Sequence, residues 1–292
     1  MSTPLVQAQY GSYAAAQTEK DTAYNERVAS AFGYTTEDLV SIPQNANLGV
    51  SCGNPIAMAG LKEGEVVIDM GSGAGMDVFI AARKVGPTGK VIGIDMTQEM
   101  LDLATKNALK GNYSNVEFIK SYIHSTPTLA ANTANVITSN CVLNLLPPAQ
   151  KPAVFTEMFR LLKPSGRVAV SDILARKPLP EDIKASAALY IGCVGGASLV
   201  EEYQAWMKDA GFEDVVIVDT KKDLNIYKEG IINVSGTDTD AGEKKKSCCK
   251  PAPKACCGAP EVTSNVAGIA DYDLNEFAGA FQIYAVKPAV AA

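Results

Sequence analysis

The sequence predicts an α/β fold: a doubly wound, mostly parallel sheet with helices on both faces. Two observations carry this. From about residue 65 onward, short apolar runs bounded by polar residues recur, the pattern of strands buried on both sides. Between them lie stretches of helical period that open on capping residues and close on Gly or Pro. Repeated βα units of this kind pack as a parallel sheet with helices above and below. The chain has 292 residues, enough for one large domain or two small ones, and 47% hydrophobic with 20% charged residues is ordinary for a globular protein.

Taken in order, residues 1–60 read as helices and loops without a strand. Thr35 with Asp38 three residues on marks a helix start, and Pro43 ends that helix. Residues 65–70 form the first strand, and a glycine-rich turn leads into a helix over 77–85 that stops at Gly86-Pro87. The second strand spans 90–95. Thr97 then caps a helix whose apolar face is Met100, Leu101, Ala104, Ala108 and Leu109, ending at Gly111. Residues 116–119 and 136–140 are the third and fourth strands. A helix bearing Val154, Phe155, Met158, Leu161 and Leu162 follows, stopped by Pro164 and Gly166, and 167–173 is the fifth strand. Two helices start near Pro180 and Leu199, the second closed by Gly211, and 215–218 is a sixth strand. Residues 236–263 are rich in Gly, Pro, Lys, Asp and Ser and read as a flexible insert, after which 281–286 alternates like a strand. The expected organisation is therefore an N-terminal helical and loop segment (1–60), a central domain (61–235), a linker (236–264) and a C-terminal strand that returns to the sheet (265–292).

Charge and composition exclude several classes. With 26 basic against 32 acidic residues the net charge is −6, which argues against a protein that tracks nucleic-acid phosphates. No apolar run approaches the roughly 18 residues of a membrane span, and residues 1–20 lack the apolar core of an export signal. The expected compartment is the cytoplasm, where the seven cysteines stay mostly reduced and available as ligands. A single histidine, His124, rules out a zinc site built on several imidazoles.

The chemistry-bearing motif is the turn Gly71-Ser72-Gly73-Ala74-Gly75 between the first strand and the helix after it. Glycines let the backbone approach a ligand, and the helix N-terminus presents free N–H groups. Asp95 closes the second strand, 20 residues after Gly75, where a carboxylate can accept both ribose hydroxyls. Asp69 can anchor the loop or meet the amino-acid end of a ligand. The G-x-G-x-G spacing with Asp69 resembles the class I S-adenosylmethionine methyltransferases rather than the dinucleotide-binding proteins.

Three cysteines are candidates for the chemistry. Cys141 directly follows the fourth strand, at the carboxyl edge where ligands of open parallel sheets bind. Cys193 lies in the helical insert after the fifth strand, and Cys52 in the loop before the first. Position alone leaves each free to be a buried apolar residue instead.

The surrounding segments add a resemblance. Residues 45–55 (NANLGVSCGNP), 69–75, 90–97, 139–145 (SNCVLNL), 190–197 (YIGCVGGA), 273–279 and 283–288 closely resemble the corresponding segments of arsenite methyltransferases, and the likeness covers about residues 8–235 and 268–288. It implies a Rossmann-like sheet of seven strands whose last strand is antiparallel, with inserted helical segments. It implies that Cys52, Cys141 and Cys193 are the catalytic thiols that hold As(III), and that Asp69, Gly71, Gly73, Gly75, Asp95, Met96, Ile123, His124 and Asn140 bind S-adenosylmethionine. Arsenite and methylated arsenicals would be the substrates, in arsenic detoxification, with glutathione or a thioredoxin-type reductant as partner and neither nucleic acid nor membrane involved. Two positions depart from the family pattern: His124 stands where an acidic residue is usual near the adenine, and Asn135 where Asp is common at the start of the fourth strand. The family's further N-terminal cysteine has no counterpart before Cys52.

Outside the matched set, Trp206 with Tyr203 reads as packing. Cys248-Cys249 and Cys256-Cys257 lack zinc-site spacing and read either as a mobile thiol segment or as exposed cysteines in a linker. Two other functions compete with arsenic methylation. One is a small-molecule C-methyltransferase of the quinone or sterol type; the other is a metalloid-binding homologue without turnover.

Overall fold

The structure, a computed structural model, describes residues 3–15, 19–228 and 272–289. Seven strands form one sheet in the order β3-β2-β1-β4-β5-β7-β6. They are β1 (Val66–Met70), β2 (Lys90–Asp95), β3 (Val116–Lys120), β4 (Ala134–Asn140), β5 (Leu162–Ala175), β6 (Glu213–Asp219) and β7 (Ala278–Val286). Pairing is parallel through β5, and β7 runs antiparallel to both β5 and β6, so the last strand is reversed as expected. This is a Rossmann-like doubly wound sheet.

Alternate strand residues feed opposite faces, as the two-residue period requires. Val67, Val91, Val136 and Ala169 pack against Val78, Phe79 and Ala82 of α5 (Met76–Val85). On the other face, Ile68, Ile92, Ile137 and Val170 pack against Phe155 and Met158 of α7 (Lys151–Leu161) and Tyr203 and Met207 of α10 (Val200–Ala210). A third cluster joins α1 (Thr3–Ala15), α2 (Glu19–Ala31), α8 (Glu181–Ala185), α9 (Ala187–Ile191) and the start of β7, and contains Cys52, Cys141 and Cys193.

Thr35 caps α3 (Thr36–Val40) in a full capping box with Asp38, as its spacing predicts. The structure corrects other expectations. Thr97 precedes α6 (Gln98–Lys110), yet its side chain makes no cap bond. Its backbone N–H instead donates to Asp95 Oδ1 at 2.8 Å. Leu109 is 76% exposed; Asn107 is the buried neighbour, donating to Ala74 O at 3.2 Å. Leu162 pairs with Ala134 and so belongs to β5, which resumes pairing at Arg167 with Val136 after the Pro164–Gly166 irregularity. The helix expected from Pro180 is two helices, because Ser186 is extended and its hydroxyl accepts from Leu189 N–H at 3.3 Å. The expected insert at 236–264, with Cys248, Cys249, Cys256 and Cys257, lies outside the described residues. Among the described residues no helix is long and apolar enough to cross a membrane.

Candidate active site

The β1–α5 turn sits at the carboxyl edge of the sheet. The backbone N–H groups of Gly71 and Ser72 both donate to Ile94 O, at 2.8 and 2.9 Å, which fixes the turn to β2. Gly71 and Gly73 have φ of +80° and +50°, a region that L side chains rarely adopt. A Cβ on Gly71 would come within 2.4 Å of Val142, whereas one on Gly73 would meet nothing within 4 Å and would project into open space. That space is a crevice lined by Gly71, Gly73, Asp95, Met96, Ile123, His124, Asn140 and Cys141 among others.

Asp95 accepts from Gly73 N–H at 3.0 Å through Oδ2 and from Thr97 N–H at 2.8 Å through Oδ1. Each carboxylate oxygen keeps a lone pair for a further donor, so a ribose diol fits here. Burial pushes the Asp95 pKa up, against the two backbone donors that pull it down. Tyr122 and His124 rings pack 5.6 Å apart at the crevice wall. A bared glycine turn, an acidic acceptor and ring-bearing walls together fit S-adenosylmethionine, which supplies an electrophilic methyl group when bound.

Two of the expected donor contacts do not line the crevice. Asp69 is buried beneath the turn and accepts from Thr138 Oγ1 at 2.8 Å. Gly75 opens α5 with φ +95° and faces the Phe79 ring, 2.7 Å from where its Cβ would stand. Asp69 therefore anchors, and Gly75 shapes the helix start. Asn135 is far from any donor role: its Oδ1 accepts from Val66 N–H at 3.0 Å and from Lys163 Nζ at 2.9 Å, at the opposite edge of the sheet.

The three cysteines converge. Cys52 donates from its backbone N–H to Asn140 Oδ1 at 3.2 Å, and its thiol donates to Ser171 O at 3.4 Å. Cys141 N–H donates to the same Ser171 O at 2.9 Å. The Cys193 thiol donates to Cys141 O at 2.9 Å. The sulfurs of Cys52 and Cys141 and a carboxylate oxygen of Asp172 all lie within 4.8 Å of one another. Cys141 and Cys193 hold φ of +59° and +64°, a conformation that persists in a non-glycine residue only where the surroundings enforce it. All three thiols are buried. Burial pushes the Cys52 pKa up to about 11. For Cys141 a hydrogen bond with Cys193 pulls downward, but the Cys52 contact and burial win, and it lies well above an ordinary thiol. Cys193 is raised well above by its bond with Cys141 and by burial.

Asn140 links the two halves. Its amide Nδ2 donates to Tyr34 Oη (2.8 Å), Gly53 O (3.0 Å) and Asp77 Oδ2 (3.0 Å), while its Oδ1 holds Cys52. Tyr34 in turn donates to Asp77 Oδ1 at 2.6 Å. Burial raises the Asp77 pKa to about 6. On the thiol side, Asp172 is fully buried and raised to about 6 for the same reason. It accepts from Tyr203 Oη (2.9 Å), Asn144 Nδ2 (3.0 Å) and Ile173 N–H (2.9 Å). Trp206 packs on Phe155 and Tyr203, as expected for a core residue.

Sequence reasoning missed Tyr10, Tyr34, Asp77, Asn144, Lys151 and Asp172. Two carried a readable signal. Asp172 is the one acidic residue in the strand, beside apolar Ile173 and Leu174, and Lys151 falls at the i position of the stripe formed by Val154, Phe155 and Met158. Tyr10 lines the crevice from α1, and nothing in its local pattern marks it.

Residues 61–211, just over half of the chain, match the sequence model of the family described as Methyltransferase domain. An arsenite methyltransferase of Halobacterium salinarum is 45% identical over 199 residues, covering 68% of this chain and 49% of that protein. The human arsenite methyltransferase is 34% identical over 154 residues, covering 50% of this chain and 40% of that one. This chain thus spans about half the length, or less, of these curated relatives. In fold it resembles an arsenic(III) S-adenosylmethionine methyltransferase from Chlamydomonas reinhardtii (TM-score 0.58, 24% identity, 90% of this chain and 74% of that one). It also resembles a geranyl diphosphate C-methyltransferase from Streptomyces coelicolor (TM-score 0.60, 16% identity, 97% of each chain). Glycine turn, acidic strand end, sheet order and family match agree, and the chain belongs to the methyltransferase-domain family, enzymes that take their methyl group from S-adenosylmethionine.

Proposed function

We propose that this protein methylates trivalent arsenic, accepting arsenite and then its methylated product, in arsenic detoxification. The observation that carries the reading is the convergence of Cys52, Cys141 and Cys193, from three distant segments, beside the donor crevice that Cys141 itself lines. The arsenite methyltransferase names of the relatives support it.

Soft thiolate sulfur suits a soft thiophilic centre, and As(III) is one. Raised thiol pKa values mean that the cysteines meet arsenous acid as S–H. Each S–As bond then forms as the thiol proton leaves with an arsenic hydroxide as water, so capture of neutral arsenous acid needs no general base. The cysteines hold arsenic with its lone pair free, and the crevice wall at Cys141 sets it towards the donor. Positioning is the chain's main contribution: reacting atoms must be brought to roughly 3–3.5 Å. Bound S-adenosylmethionine would supply the methyl group and keep the C–S electron pair, and the thiol-held arsenic would rise formally to As(V). Two cysteine sulfurs leaving as a disulfide return it to As(III), and glutathione or a thioredoxin-type dithiol then reduces that disulfide.

Incubation with arsenite, methyl-labelled S-adenosylmethionine and glutathione, followed by arsenic speciation, tests the reading. Labelled methylarsenicals are expected. Bound arsenite without labelled product would instead mark a metalloid-binding homologue. Neither binding nor labelling would leave a C-methyltransferase.

A further inference from the structure

We infer that Lys151 is a positioning residue for the thiol site: its buried ammonium locks the loop of Cys193 onto the loop of Cys141 and so sets the separation of those two sulfurs. This rests on the arsenic reading for its purpose, but not for its geometry.

Lys151 opens α7 and is only 2% exposed. A buried ammonium is strongly unfavourable unless its protons are all taken up. Here they are. Nζ donates to Gly196 O at 2.5 Å, Ser198 Oγ at 2.9 Å and Asn144 Oδ1 at 3.3 Å. Asn144 lies three residues after Cys141, and Gly196 three residues after Cys193, so one cation ties equivalent points of the two cysteine loops. Asn144 is itself fixed to β5, donating to Asp172 Oδ1 at 3.0 Å and Ile173 O at 2.5 Å. The contact is close: a Cβ on Gly196 would stand 2.1 Å from Asn144 O, so glycine is required there. On the far side of Cys193, Tyr190 Oη donates to Leu145 O (3.2 Å) and Leu146 O (3.3 Å), closing the same seam.

The consequence concerns the sulfurs. Cys141 and Cys193 both hold left-handed backbone conformations, which relax once their surroundings loosen. Two sulfurs share one arsenic atom only when held at a short, fixed distance. A lysine that merely filled space would leave that distance unchanged when replaced by an apolar residue of similar length.

The first test needs neither arsenic nor methyl donor. In the full chain with Cys52, Cys248, Cys249, Cys256 and Cys257 replaced by Ser, Cys141 and Cys193 are the remaining thiols. Dibromobimane fluoresces when both its arms have reacted with neighbouring thiols; monobromobimane reports single alkylation. Lys151→Met should lower the ratio of cross-linked to singly alkylated protein by about ten-fold or more, the scale on which a displacement of about 1 Å is felt at a reacting site. An unchanged ratio in folded Lys151→Met overturns the inference. Should that variant not fold, Ser198→Ala removes one acceptor of the ammonium, and it should lower the ratio in the same direction by a smaller factor; no change there also overturns it. With all cysteines restored, Lys151→Met should raise the KM for arsenite about ten-fold while donor affinity stays within about two-fold. Loss of cross-linking in a protein whose wild type makes no methylarsenical would sink the arsenic reading and leave the clamp standing.

Discussion

The donor half and the thiol half of the site are built in different ways. The donor half is organised around one continuous stretch, β1 to the start of α6, whose backbone shapes it: Gly71 and Ser72 N–H bond Ile94 O and Gly73 N–H bonds the Asp95 carboxylate at a strand end, with Ile123, His124 and Asn140 completing the wall. The thiol half assembles residues from three distant segments around buried side-chain bonds, with Asp172, Asn144, Lys151 and Tyr203 beneath the sulfurs. A site made of backbone geometry announces itself in spacing, because glycine is needed where φ is positive. A site made by tertiary convergence has no fixed spacing to read.

If the halves are separable in this way, damage to one should spare the other. The largest effect is expected for Cys141→Ser and Cys193→Ser. A serine hydroxyl is a harder ligand and cannot replace sulfur on arsenic. Arsenite methylation should fall by about 100-fold or more, the scale of losing a group that positions a reactant, with donor affinity by calorimetry near wild type. Cys52→Ser should impair arsenite more than monomethylarsonous acid, which has one fewer exchangeable position. Wild-type rates in the Cys141 and Cys193 variants would overturn the arsenic assignment and favour C-methylation.

Asp95→Ala attacks the other half. The change removes the acceptor for the ribose hydroxyls and also frees Gly73 N–H and Thr97 N–H. Hydrogen bonds to charged groups contribute about 1.5–3 kcal/mol, so S-adenosylmethionine should bind about ten-fold or more weakly. Stoichiometric capture of arsenite by the thiols should be unaffected. Unchanged donor affinity would remove Asp95 from the ribose site.

Legibility follows the same division. The βα units, the β1 turn and Asp95 stand in the sequence because hydrophobic period and glycine placement are local. That Cys141 lies at the sheet edge was equally local, since it follows β4 directly. That Cys52 and Cys193 join it came from segment resemblance alone. Asn135 shows the opposite failure: a departure from the family pattern near a strand start looks functional, yet the side chain bonds Val66 N–H and Lys163 at the far edge of the sheet. Leu109, in the last turn of α6, breaks the apolar stripe by facing solvent; the inward position there is taken by Asn107, whose amide bonds Ala74 O.

Tyr10 tests whether the division is complete, because it belongs to both halves. It lines the crevice from α1, and its hydroxyl donates to Ile191 O at 3.3 Å, two residues before Cys193. Nearby, Gln7 Nε2 donates to Met96 O at 3.2 Å, so α1 is bonded to the donor side as well. Tyr10→Ala should therefore weaken donor binding and slow methylation together, each by roughly three- to ten-fold, as expected for losing an aromatic wall of a small-molecule site. Tyr10→Phe should retain most of both. A variant that changes only one of the two would assign α1 to that half alone.

The smallest effect is a difference in how stability depends on pH. Each half buries a carboxyl whose pKa burial raises to about 6: Asp77 under the donor turn and Asp172 under the thiols. Both bind their proton more tightly in the folded than in the unfolded chain, so their contribution to stability is full below about pH 4 and is lost as pH rises through about 6. A shift of roughly two units corresponds to a contribution on the order of 2–3 kcal/mol. Glu157, held down to about 2 by Arg160, acts in the opposite sense, but it is common to wild type and variants and cancels in the difference. Denaturant unfolding at pH 4.5 and pH 7 should therefore show wild type losing more stability with rising pH than Asp172→Asn does. For Asp77→Asn the flattening should be larger, because Asp69 is also raised well above its usual value, by burial and then by the Asp77 charge. Removing that charge relaxes a coupled pair, whose titration belongs to both groups. Equal slopes in wild type and Asp172→Asn would mean that the Tyr203, Asn144 and Ile173 donors keep Asp172 ionised throughout, and that the thiol half rests on a fixed negative charge rather than a titrating one.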